Sequence, residues 1–134
     1  MREFHLQIVT PDGVAFDGAV QSVTVFADDG EVQILAGHVD YMSSVGTGRA
    51  RLLMPDGGVR EASASGGILS VAKGEVKLVA VTFEFGEDID LDRARAAKER
   101  AERAIAEAKD SRAAELAEAK LRRALCRISV GEAR

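Results

Sequence analysis

A break in composition at Gly86 constrains this chain more than any other feature. Of its 13 glycines, 12 lie at or before Gly86, as do both prolines, and only Gly131 follows. Gly and Pro punctuate strands and turns, whereas the Ala, Glu, Lys and Arg that dominate after Gly86 favour helix. Charge shifts at the same place. Residues 1–87 carry 6 Lys/Arg against 12 Asp/Glu, and residues 88–134 carry 12 against 10. Two units follow: a β domain over 1–86 and a helical segment over 87–134. The fold class is mostly β plus α.

Within the first unit, Phe4, Leu6 and Ile8 alternate with His5, Gln7 and Val9, the period of a half-buried strand. Pro11-Asp12-Gly13 supplies a fixed φ followed by a residue free to take positive φ, which is a turn. A second strand is expected from Val14 to Phe16, ended by Asp17-Gly18, then a third over 20–26. Asp28-Asp29-Gly30 reads as a turn before a strand over 31–35. Residues 49–54 and 59–64 flank Pro55-Asp56-Gly57-Gly58 as a hairpin, and 67–71 and 75–81 flank Lys73-Gly74. Many short, regularly spaced strands imply a sandwich or flattened barrel. Aromatic content is 4% with no Trp, so its core must be built of Val, Leu, Ile and Ala.

In the second unit, Leu91, Ala94, Ala101, Ile105 and Ala108, then Ala117, Leu121, Ala124 and Ile128, recur at helical spacing. They predict an antiparallel hairpin of helices over about 90–107 and 111–129, with Asp110 or Ser111 capping the second. The alanine-rich seam lets the helices approach closely but buries little area. Arg93 and Arg100 are seven residues apart and point the same way; Arg123 and Arg127 are four apart. If the helices fold together, four guanidinium groups can converge on one cleft, where their planar forks suit phosphate. Ala94 leaves room for a flat ring, and Asp90 accepts hydrogen bonds as an adenine amino group requires. Spacing alone also fits ordinary surface ion pairs.

Other chemistry finds little support. Gly66-Gly67 lacks the Gly-Lys-Ser/Thr ending of a phosphate loop and reads as a strand-edge turn. The two histidines, His5 and His38, are far apart in sequence and no Cys is near them, which argues against a metal site. No nucleophile–base arrangement is visible, so no catalytic residue is assigned. A formal net charge of −4 argues against nucleic-acid binding. The lone Cys126 excludes an internal disulfide and reads as a spectator. With no signal pattern and no apolar run of membrane-spanning length, the expectation is a soluble intracellular protein that meets a membrane only through a partner.

The run Ile89-Asp90-Leu91-Asp92-Arg93-Ala94 resembles the Ile/Leu-Asp-x-x-Arg-Ala motif of the epsilon subunit of bacterial F-type ATP synthase. Thr10-Pro11-Asp12, Gly37-His38, the stretch 65–71 and the stretch 123–130 agree with that family in order and spacing. The resemblance implies a sandwich of about ten strands and a hairpin with two states, in a rotor subunit that couples proton flow to ATP synthesis. Folded on the sandwich, the hairpin permits turnover; extended, it inhibits ATP hydrolysis by contacting the catalytic alpha/beta subunits. The implied partners are also the gamma subunit and the c subunits of the rotor ring. The implied location is peripheral, on the cytoplasmic face of the bacterial plasma membrane, and the implied role is regulatory rather than catalytic. Carried over residue by residue, the ATP ligands of the family fall on Glu84, Asp90, Arg93, Ala94, Arg100, Arg123 and Arg127, with no metal required. Glu31 and His38 fall where the family meets the rotor ring. The family's Leu-Pro-Gly-His-x-Pro is here Leu35-Ala36-Gly37-His38-Val39-Asp40, so both prolines that would pre-set the loop are lost. Thr82-Phe83-Glu84-Phe85-Gly86 is also unusual, and its two Phe could line an adenine pocket or cover the base of the hairpin. A reading of another class is a free-standing adaptor whose Arg-rich hairpin grips an acidic protein.

Overall fold

A computed structural model describes residues 2–28 and 30–133. Asp29 of the expected turn at 28–30 lies outside the described residues. Among the described residues eight strands precede two helices: β1 Phe4–Thr10, β2 Gly13–Val20, β3 Ser22–Ala27, β4 Gly30–Leu35, β5 Tyr41–Ser44, β6 Gly48–Leu53, β7 Val59–Ala72, β8 Glu75–Phe85, α1 Leu91–Glu107 and α2 Ser111–Glu132. The strands join in the order β2-β1-β8-β7-β6-β3-β4, with β5 on the far half of β7. All neighbours are antiparallel except β1 and β8. This sheet wraps around one apolar core whose fully buried side chains include Leu6, Ile8, Ile34, Leu52, Leu69 and Leu78.

Several expected boundaries move, each for a physical reason. Strand β2 does not end at Asp17-Gly18: Gly18 pairs with Leu6, and the Asp17 carboxylate accepts from Gln7 on β1. The stretch 20–26 is divided at Gln21, which is buried and ties its N–H to the Leu53 carbonyl. Gly66-Gly67 is not an end. It lies inside β7, where that strand exchanges β6 for β5 as its neighbour. Both glycines have positive φ, 64° and 129°, and a Cβ on Gly67 would sit 1.9 Å from the Val79 carbonyl oxygen. No side chain fits there. One long strand thus replaces two short ones, which is part of why eight strands serve where about ten are implied. Lys73 (φ 51°) and Gly74 (φ 80°) form the two-residue turn expected between β7 and β8.

The hairpin follows the predicted seam: Ala94 and Ala101 of α1 and Ala117 and Ala124 of α2 are each at most 4% exposed. Asp90 caps α1 by accepting from the Arg93 N–H at 3.1 Å, and Asp110 caps α2 by accepting from Ala113 at 2.7 Å. Helix α2 runs three residues past its expected end. Val130 and Gly131 are buried there, and the space a Gly131 Cβ would need is taken by Leu91 and Ile89.

Candidate functional site

Strand β8 ends in the aromatic pair that was open to two roles. Phe85 is buried and packs edge-on to Phe16 and Phe83, with the Arg60 guanidinium 3.7 Å above its ring. It belongs to the apolar core of the sandwich. Arg60 also donates to Glu87 at 2.6 Å, which holds that carboxyl below its ordinary range. Phe83 instead faces a recess of about 130 Å³ that it shares with Asp12, Glu84 and Arg127. From Phe85 the chain turns through a short 3-10 segment, Gly86–Asp88, into the Asp90 cap, which fixes where α1 begins.

At this elbow a cleft of about 440 Å³ opens, lined by Asp12, Glu84, Asp88, Asp90, Arg93, Ala94, Ala97, Arg100 and Arg127. Six of the seven residues singled out in the sequence meet here. Arg123 does not. It lies one turn before Arg127, about 6 Å away along the helix axis. It lines an adjoining interhelical groove of about 490 Å³ together with Ala97, Arg100, Ala101, Ala104, Lys120 and Arg127. The four guanidinium groups therefore divide between two connected cavities instead of closing on one.

Charge in the cleft is mixed. Arg127 Nε stands 3.3 Å from Glu84 Oε1, so this pair is closed without a ligand. One oxygen of Asp90 serves the helix cap, and the carboxylate retains further lone pairs for another donor. Sequence reasoning missed Asp12 and Asp88. Asp12 read only as part of a turn, and it reaches the cleft because the β1–β2 turn is folded beside the hairpin. Asp88 stands two residues before the motif and could have been suspected from that. The size is that of small-molecule sites, and guanidinium donors, carboxylate acceptors and a small flat alanine wall suit a nucleotide. Among the described residues no three His, Cys, Asp or Glu are grouped to hold a metal ion.

Glu31 and His38 do not come together. Glu31 is the second residue of β4 and pairs with Arg51 at 3.6 Å, while His38 follows the end of β4 and lies edge-on to Tyr41. In place of the lost prolines, His38 Nδ1 meets the Val39 carbonyl at 2.7 Å and Asp40 accepts from the Lys73 N–H. No helix of the described residues is long and apolar enough to cross a membrane.

Residues 3–86 match the family model described as ATP synthase, Delta/Epsilon chain, beta-sandwich domain, and residues 87–132 match its long alpha-helix domain. The chain is 37% identical to the ATP synthase epsilon chain of Caldicellulosiruptor saccharolyticus, over 100% of this chain and 97% of that one. It is 38% identical to that of Bacillus velezensis, over 97% and 98%. Among solved structures, a chain of the Euglena gracilis mitochondrial ATP synthase superposes with a TM-score of 0.76 at 24% identity, covering 90% of this chain and 76% of that one.

Proposed function

This chain belongs to the family of ATP synthase delta/epsilon chains, and from that premise we propose that it is a non-catalytic central-stalk subunit whose hairpin binds ATP when folded. One observation carries the reading: the folded hairpin gathers Glu84, Asp90, Arg93, Ala94, Arg100 and Arg127 around one cleft. Any ligand that needs both helices and the sandwich edge stabilises the closed state alone.

Four buried alanine methyls contribute roughly 3 kcal/mol at about 0.8 kcal/mol each. At the junction Ile89 and Val130 are buried, and the polar contacts are partly exposed: Arg49 to Ser129, Arg127 to Glu84 and Arg95 to Glu132. A ligand at 100 times its Kd adds about 2.7 kcal/mol to the state that binds it. ATP would then decide how often the hairpin opens to present its arginines to acidic surfaces of the catalytic subunits. Under this reading high ATP keeps the hairpin down and permits turnover, and low ATP releases it to inhibit hydrolysis.

The sandwich offers a docking face for a stalk partner, which we assign to the gamma subunit. Val14, Val9, Val79 and Ile68 are successive neighbours across β2, β1, β8 and β7, and Val14, Val79 and Ile68 are exposed. Such an apolar row on a water-facing sheet suits a partner. Proton coupling through the rotor ring, and a peripheral position on the cytoplasmic face of the membrane, follow from membership of that stalk. The free-standing adaptor reading has no observation in its favour beyond the arginines themselves.

Calorimetry of the full chain with ATP tests the nucleotide reading. Wild type should release heat, and Arg93→Ala or Arg127→Ala should weaken binding at least tenfold, since a charged hydrogen bond contributes about 1.5–3 kcal/mol. No heat at millimolar ATP would remove the ligand while leaving the family membership intact.

A further inference from the structure

The groove beside the cleft has a charge pattern that the ligand set above does not use in full. Its charged lining is Arg100, Lys120, Arg123 and Arg127, with no carboxylate. The cleft has the opposite balance, four carboxylates against three arginines. The two cavities meet across Arg100 and Arg127, which line both. Among the described residues Arg100, Lys120 and Arg123 take part in no ion pair, so these charges stand ready for an external anion.

An elongated ligand with donors at one end and several anions at the other is matched by this polarity. A phosphate chain among Asp12, Glu84, Asp88 and Asp90 would be repelled; in the groove it meets cations only. A base carrying an exocyclic amine fits the reverse way, since carboxylates accept and cannot donate. Along α2 the cations form a ladder. Measured along the helix axis from Arg127, Arg123 lies about 6 Å away and Lys120 about 10 Å away, at about 1.5 Å per residue.

Resting on the nucleotide reading, we propose that the phosphate chain runs from the cleft into the interhelical groove and that Lys120 contacts the terminal phosphate of a triphosphate. Lys120 is then the residue that distinguishes a triphosphate from a diphosphate. A diphosphate ends within reach of Arg123 and Arg127 and stops short of the outermost cation. Lysine suits an end position, because its compact charge on a flexible stem needs no fixed approach geometry.

The test is calorimetry of the full chain with ADP and with ATP, for wild type, Lys120→Gln and Lys120→Arg, with helix content checked for each. Wild type should favour ATP. Lys120→Gln should weaken ATP about tenfold, the low end for a charged hydrogen bond at an exposed site, and ADP less than twofold. Lys120→Arg should keep most of the preference. Equal weakening of both nucleotides, or of neither, overturns the role of Lys120 while nucleotide binding stands. Absence of heat with either nucleotide in wild type overturns both readings.

Discussion

His5 presents both ring nitrogens to carboxylates, Nε2 at 2.5 Å from Asp17 and Nδ1 at 2.7 Å from Glu75. A neutral imidazole donates from one nitrogen only, so the arrangement favours the doubly protonated ring. The hydrogen bond to Asp17, then that to Glu75, raises the His5 pKa above its ordinary 6.5, and the bond from His5 lowers that of Asp17 below 3.8. The staple joins β2, β1 and β8. Its His5 contribution is full below pH 6.5 and is lost as pH rises through the raised value; the Asp17 contribution is present above pH 3.8 and lost as pH falls through the lowered one. Melting curves between pH 5.5 and 8.5 should show wild type losing more stability than His5→Gln. Parallel curves would mean that the imidazolium is not held this way. Nothing in sequence spacing marked this cluster: the second strand read from the sequence stops at Asp17, and Glu75 comes from β8, which meets β1 only through the sheet topology.

At the scale of elements, the hairpin is set by short-range rules at its caps and seam and by close fit at its end. A Cβ on Gly131 would stand 2.7 Å from Leu91 Cδ2 and 3.1 Å from Ile89 Cγ2, and Val130 packs on Gly86. The last turn of α2 is thus wedged under the first turn of α1. Gly131→Val should pry that turn loose. Hydrogen exchange should quicken through residues 120–132 while β1, β6 and β7 keep their protection. Unchanged exchange in α2 would show that the wedge does not hold the hairpin. The periodicity of alanines placed the seam correctly, and the sequence offers Asp110 or Ser111 as the α2 cap; the structure chooses Asp110 and makes Asp90, read only as an acceptor for a ligand, the cap of α1. The end of α2 was not visible: a glycine in a helix costs about 1 kcal/mol relative to Ala and argues for termination, and only the crowded junction makes it the residue that fits.

For the whole molecule, two units of opposite charge balance share a narrow junction, and the sandwich keeps an apolar row for company. Ile68 is 49% exposed at the β7 end of that row, so Ile68→Glu should fold. It should fail to co-purify with the gamma subunit when expressed with it, whereas Arg127→Ala should still co-purify. Retention of Ile68→Glu would place the stalk contact elsewhere on the sandwich.

Sequence alone established the break in composition at Gly86, the class of each unit, the helix seam and two candidates for the α2 cap, because these rest on interactions between residues a few positions apart. It also supplied six of the cleft's nine lining residues, since motif and helical period keep Asp90, Arg93, Ala94 and Arg100 on related faces. Tertiary structure decided the rest. It brought Asp12 in from the β1–β2 turn, set Arg123 one turn away with Lys120 in a second cavity, and made one strand of what Gly66-Gly67 seemed to divide. Local propensity fixes which elements form, but which charges face one another depends on how those elements dock, and docking is settled by packing between residues distant in the chain.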